Sequence, residues 1–287
     1  MKRFFIITAL VTIMIPVSIM IGHSDDPKIR DLQPSYKGKG YKASDSTTSL
    51  AIGFDSENVQ LLSWLTLGDL GGADSGNDCW GYVSPSGREY ALIGTSSATA
   101  FVEITNPGNP QVISIKSGPN SLWRDIKTYQ HYAYAVSEGG GGIQVFDMGN
   151  IDSGIVTQLK SAGSSNTHNV AIDTTSGFLY RTGGAGSGLM FYDLSNPEEP
   201  TYVGGWDEKY VHDAQIVTYT EGPYAGKQIA FCCGGFSGGW SETGLTILDV
   251  SNKSNPIILG EVQYSGSGYS HQGWLSEDRK YFYHNDE

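Results

Sequence analysis

From about residue 58 onward the chain alternates short apolar runs with breaks rich in Gly, Asn, Pro, Ser and Asp, and no stretch repeats its apolar residues at helical spacing. Three stretches superimpose: FVEITNPGNPQVIS (101–114), FYDLSNPEEPTYVGG (191–205) and ILDVSNKSNPIILGE (247–261). Each is an apolar run ending in an acidic or polar residue, then an N-P-x-x-P or N-x-x-x-P turn, then a second run. Asn caps such a turn with its side chain, and Pro fixes φ and ends strand pairing. IQVFDMGNIDSG (143–154) is a degenerate fourth copy.

Upstream of each copy lies a strand pair with a turn-like centre: GYVSPSGREYALIGT (81–95), DIKTYQHYAYAVSE (125–138), NVAIDTTSGFLYRTG (169–183) and DAQIVTYTEGPYAGKQIAFCC (213–233); QGWLSEDRKYFYHND (272–286) begins another unit. The repeat is therefore four strands long, and Arg124, His168 and His212 mark a period of about 44 residues. Four strands at that period predict an all-β fold, a β-propeller of four-stranded blades, about five of them visible. NVQLLSWLTL (58–67) has the place of a closing strand that joins the last blade from outside. The sequence ends after the second strand of the fifth blade, which implies an incomplete last blade and a longer parent protein.

Composition agrees. The 38 glycines suit many tight turns, and the net charge of −12 repels phosphate backbones, which argues against nucleic acid as a partner. At the start, Lys2 and Arg3 precede an apolar run from Phe4 to Ile21, broken by Pro16. Residues 1–22 read as a secretory signal or an N-terminal membrane anchor, which places the functional part outside the cytoplasm, secreted or in the cell envelope. Residues 23–57 are polar and read as a flexible linker. The three cysteines, Cys79, Cys232 and Cys233, match no zinc spacing, and adjacent cysteines rarely bridge each other; they read as buried strand residues.

Ionisable residues gather where each first strand begins: NDCWG (77–81), LWRD (122–125), THNV (167–170), VHDA (211–214) and SHQG (270–273). First strands line a propeller's channel, and second strands run back to the same face, bringing Glu138, His284, Asp286 and Glu287 near. The candidate ligand-binding residues at the channel mouth are Arg124, Asp125, Glu138, Asn169, Asp213 and Gln272. The candidate metal ligands are His168, His212 and His271, since imidazole and carboxylate hold divalent ions such as Zn, Mn or Ca with open positions. Histidine also serves as an acid or base near neutral pH. The reading of first choice for the same residues is structural, hydrogen bonds between neighbouring blades that hold the ring together. GDLGGADSGND (68–78) has oxygen donors but lacks the EF-hand spacing and closing Glu, so it reads as a solvated turn. No nucleophile elbow or phosphate loop is present.

The motifs NDCWGYVSPSGREYALIG, SLWRDIKTYQHYAYAVSE, GGIQVFDM, THNVAID, VHDAQIV, LTILDVSNKSNP and YSHQGWLSEDRKYFYHNDE, in that order over residues 58–287, resemble the choice-of-anchor B family, exported bacterial proteins with LVIVD-like repeats. The resemblance implies a propeller displayed on or outside the cell, with family members that continue past NDE, and it brings no established activity. The sequence thus supports an exported or cell-surface binding module for an extracellular protein or a small molecule. Its alternative is a metal-dependent hydrolase-like enzyme using the His/carboxylate cluster.

Overall fold

The computed structural model describes residues 38–43, 57–184, 188–235 and 244–286. The apolar start, most of the 23–57 segment and Glu287 lie outside them, as do the signal and linker readings that rest there. Among the described residues no helix is long and apolar enough to cross a membrane.

Two short strands come first, β1 (Tyr41–Lys42) and β2 (Ser63–Trp64), paired antiparallel to each other. Four four-stranded antiparallel sheets follow. Blade one holds β3 (Gly76–Val83), β4 (Glu89–Thr95), β5 (Ala98–Glu103) and β6 (Gln111–Ser117). Blade two holds β7 (Arg124–Tyr129), β8 (Tyr132–Ser137), β9 (Gln144–Asp147) and β10 (Thr157–Gln158). Blade three holds β11 (Asn169–Asp173), β12 (Phe178–Thr182), β13 (Leu189–Asp193) and β14 (Thr201–Trp206). Blade four holds β15 (Asp213–Thr218), β16 (Gln228–Cys233), β17 (Leu245–Asp249) and β18 (Ile257–Val262). A two-stranded sheet ends the series, β19 (Ser270–Leu275) with β20 (Phe282–Asp286). Within each blade the strands lie in chain order, and the first strands β3, β7, β11, β15 and β19 stand side by side along one inner surface.

The expected turns are present. Asn106, Asn196 and Asn252 each accept a hydrogen bond on the side-chain oxygen from the backbone N–H two residues on (Gly108 3.2 Å, Glu198 3.3 Å, Ser254 3.0 Å). The degenerate copy replaces this turn with a single 3-10 turn at Ile151–Ser153. The third strands β5, β13 and β17 share one bulge, at Phe101/Val102, Phe191/Tyr192 and Ile247/Leu248.

The core is built between blades. Third-strand residues flanking an acid reach across to the preceding blade: Phe146 and Met148 pack with Tyr90, Leu92 and Phe101. Tyr192 and Leu194 pack with Tyr134, Val136 and Val145 in the same way, and Leu248 and Val250 with Tyr180 and Phe191. The apolar-acid-apolar signature of the third strand is thus the means by which each blade is covered.

The segment 58–67 does not close the ring. Only Ser63–Trp64 is strand, its partner is Tyr41–Lys42, and Leu65 and Leu70 lie over Ala100 and Val102 of blade one. Lys42 Nζ donates to Asn109 Oδ1 (3.2 Å) and Pro110 O (2.7 Å). Burial of the leucines on the outer face of blade one is the interaction that places this segment.

Candidate functional site

Successive residues of a strand point to opposite sides, so the two polar residues that open each first strand have different fates. The second of each pair faces the channel. Asp125, Asn169, Asp213 and Gln272 line a cavity of about 710 Å³, with Asp78 and Trp80 from β3 and Gln215 and Trp274 from the later strands. The first of each pair turns into the seam between blades.

Arg124, expected at the mouth, is a seam residue and is fully buried. Its Nε donates to Thr95 O (3.0 Å), Nη1 to Gln144 Oε1 (2.7 Å) and Nη2 to Pro119 O (2.6 Å), joining blades one and two. A Cβ on Gly118 would lie 2.5 Å from Nη1, so the glycine is what lets the guanidinium sit there. Burial lowers its pKa to about 10, still charged at neutral pH.

The histidines form a row. His168 and His212 are buried, with ring centroids 4.4 Å apart, and His271 follows at 4.8 Å from His212. His168 Nδ1 donates to Glu138 Oε1 at 2.7 Å, and His212 Nδ1 donates to His271 O at 2.8 Å. The successive rings are tilted against each other by 44° and 38°. Among the described residues no group of three or more His, Cys, Asp or Glu is arranged to hold a metal ion. His168, His212 and His271 thus stand as a tilted row along the inter-blade seam, with Glu138 the partner of His168. In the 68–78 loop, Asp69 caps its own turn by accepting from Thr66 N and Oγ1 (both 2.7 Å). His284 Nε2 lies 2.8 Å from Ser270 Oγ, and Asp286 accepts from Tyr264 OH (2.5 Å) and Gly268 N (3.0 Å).

The chemistry of the channel centres on a residue the sequence did not single out. Lys127, two positions along β7 from Asp125, sits 2.5 Å from Asp125 Oδ1 and 3.2 Å from Asp78 Oδ2, with its ammonium 4.5 Å above the Trp80 ring. Burial opposes its charge, yet the Asp125 and Asp78 carboxylates hold its pKa above the ordinary range. The two acids share this ammonium. Burial drives Asp125 well up, whereas Asp78, in spite of burial, is lowered by its neighbour Asp125 and by the Lys127 charge. They titrate as a pair, one proton leaving easily and one reluctantly. Burial raises Asp213, near Lys127, to about 6.

The same side chains stitch the ring. Asp125 Oδ2 accepts from Val170 N of the next blade (2.7 Å), Asn77 Oδ1 accepts from Arg124 N (2.8 Å), and Gln215 Oε1 accepts from Leu275 N (2.7 Å). A signal for Lys127 did exist: a lysine at the interior side of an inner strand, in phase with the Asp125 facing the channel.

Comparison with known proteins agrees with this layout. The LVIVD repeat model matches residues 239–263. No curated protein matches the chain. Among solved structures, the periplasmic gluconolactonase of Pseudomonas aeruginosa aligns at TM-score 0.55 and 11% identity, over 75% of this chain and 64% of its own. A candidate 6-phosphogluconolactonase of Bacteroides fragilis aligns at 0.52 and 11%, over 70% and 60%. A protein of unknown function from Desulfotomaculum acetoxidans aligns at 0.53 and 14%, over 75% and 64%. The chain is a β-propeller with an LVIVD repeat. It spans less than two thirds of the length of these propellers, and at such identities the likeness concerns the fold alone.

Proposed function

We propose that this propeller is an extracytoplasmic binding module of the choice-of-anchor B kind, whose channel takes a small polyhydroxyl molecule. The observation that carries the reading is the mixed floor of the 710 Å³ cavity, where Asp78, Asp125, Lys127 and Asp213 are held beside the amides of Asn169 and Gln272. Charged and amide groups give directional acceptors and donors for hydroxyls, and Trp274, 56% exposed, offers an apolar face. The export-type N-terminus and the ordered repeat motifs support the location and the family.

Calorimetric titration of the full chain with gluconate, gluconolactone and neutral monosaccharides is the test. Saturable binding is expected, weakened at least tenfold in both Trp274→Ala and Asp213→Ala. No binding across the panel, or binding indifferent to both changes, overturns the proposal.

One observation favours a second reading. Paired carboxyls whose pKa values are driven apart are the arrangement general acid–base catalysis needs. On that reading the Asp78–Asp125 pair exchanges the proton and Lys127 is its positioning residue. Turnover of gluconolactone above the buffer rate, abolished by Asp78→Asn, would favour the enzyme over the binding module.

A further inference from the structure

The channel cavity spends its positive charge and keeps some of its negative charge. Four carboxylates line it, Asp78, Asp125, Asp173 and Asp213, against two bases, Lys127 and Arg279. Arg279 lies at the far end of the inner strands, where it donates to Thr218 O (2.8 Å) and rests over the Tyr219 ring. Lys127 has three N–H groups and three acceptors for them: Asp125 Oδ1 (2.5 Å), Asp78 Oδ2 (3.2 Å) and Ile126 O (3.2 Å). It has no donor left for a ligand. An anionic group entering at the Asp213 end therefore meets no uncommitted cation among the described residues.

The acids are committed to different degrees. Asp125 is sealed, its side chain 4% exposed; Oδ1 also accepts from Ile126 N (2.6 Å) and Oδ2 from Val170 N (2.7 Å). Asp173 accepts from Thr218 Oγ1, Gln228 Nε2 and Thr175 N. Asp213 is the exception. Its Oδ1 accepts one hydrogen bond, from Ala214 N (2.8 Å), while Oδ2 accepts none and no basic side chain pairs with it among the described residues. Two further acceptors stand nearby on inner strands. The side-chain amide of Asn169 donates to His212 O (3.4 Å), leaving its carbonyl oxygen open, and the side chain of Asp78 is 40% exposed. All three residues belong to complete four-stranded blades, one, three and four.

Charge and spacing say what fits. Burial opposes the Asp213 charge, with a pKa raised to about 6, so at neutral pH the carboxylate is ionised and short of a partner. A donor that itself carries positive charge relieves this most. Among the described residues no three acids stand together as metal ligands, so the cation arrives on a larger molecule rather than as a bare ion.

We propose that the channel takes an amino sugar, its ammonium group donating to Asp213 Oδ2 and its hydroxyls to Asp78 and the Asn169 carbonyl oxygen. The inference deepens the channel reading given above and rests on it. It adds the charge of the ligand and makes Asp213 the residue that determines specificity.

The test is calorimetric titration of the full chain at about pH 7 in phosphate buffer with a chelator, using glucosamine, glucose, N-acetylglucosamine and gluconate. Tris is avoided, because it is itself an ammonium triol. Glucosamine carries a charged amine at this pH, where glucose has a hydroxyl and N-acetylglucosamine a neutral amide. Glucosamine is expected to bind at least tenfold more tightly than either, with gluconate the weakest. In Asp213→Asn, which keeps the acceptor for Ala214 N, the preference for glucosamine over glucose should fall below about twofold. The ratio is the readout, since a merely structural effect of the substitution weakens both sugars alike. Binding of any of the four without a preference for glucosamine overturns the inference and leaves the channel reading standing. A preference that survives Asp213→Asn overturns the role of Asp213. No binding by any of the four overturns both readings.

Discussion

A carboxyl group held where water only partly reaches it favours its protonated form, and Asp213 is such a group. Its pKa is raised by burial to about 6 from an ordinary 3.8. The folded state therefore binds this proton more tightly than the unfolded state. Its contribution to stability is fully present below the ordinary value and is lost as pH rises through about 6, a cost of about 3 kcal/mol at neutral pH. Asp213→Asn keeps the acceptor for Ala214 N and removes the charge. It should raise the urea midpoint at pH 7.5 and lose that advantage by pH 4.5; an equal gain at both pH values would refute the assignment. The cysteines give a second check at this scale. Cys232 and Cys233 are buried, with thiols pushed up by burial and by the Asp213 charge, while Cys79 is exposed on β3. In native protein one thiol should react with a disulfide reagent, and the other two only on unfolding. The histidine–aspartate pair at 212–213 was legible in the sequence as a repeated feature. Which of the two faced the channel was not, because strand alternation fixes opposite directions without fixing their sense. Lys127 was hidden for a related reason: alone on a strand it looks like a solvent-facing residue, and its charge acquires meaning only beside Asp78 and Asp125 of two different strands.

Elements whose chemistry is local could be read from sequence, and those whose chemistry is a seam could not. The Asn turns at 106, 196 and 252 recur with one geometry because their hydrogen bonds close within a few residues. The strand at 58–67 was misplaced because its position depends on Leu65 and Leu70 finding Ala100 and Val102, a contact no local pattern encodes. Arg124 is the sharpest case of a seam residue, an arginine at a first-strand start that resembles a ligand-binding group. It uses all three guanidinium nitrogens on acceptors of two blades and the loop between them. Arg124→Met should strip those acceptors of their donor in a buried place and lower stability by about 3 kcal/mol in urea unfolding. Arg124→Lys should recover little of it, since one ammonium cannot reproduce the planar fork. A loss under about 0.5 kcal/mol would mean that water replaces the guanidinium, and that the seam is not held by this residue.

At the scale of the whole molecule the two ends of the arc differ. The outer face of blade one is covered by the chain itself, through Leu65 and Leu70, with Lys42 bonded to Asn109 and Pro110. Among the described residues blade five meets one neighbour, blade four. It is joined to blade four by Gln215 to Leu275 N, by Arg279 to Thr218 O (2.8 Å), by the Gly235–Ser270 bridge and by the stacked rings of Phe231 and Phe282 at 5.0 Å. These are few contacts for a pair of strands, and β20 has the least burial of any second strand. In a repeat architecture stability is close to a sum of units and neighbour interfaces, so a unit with one interface opens first. Hydrogen exchange should show residues 276–286 losing protection by local opening, well before β8, β12 and β16, which should exchange together in a cooperative step. Uniform exchange across all five sheets would instead mean that the arc unfolds as one unit and that blade five is as firmly held as its neighbours.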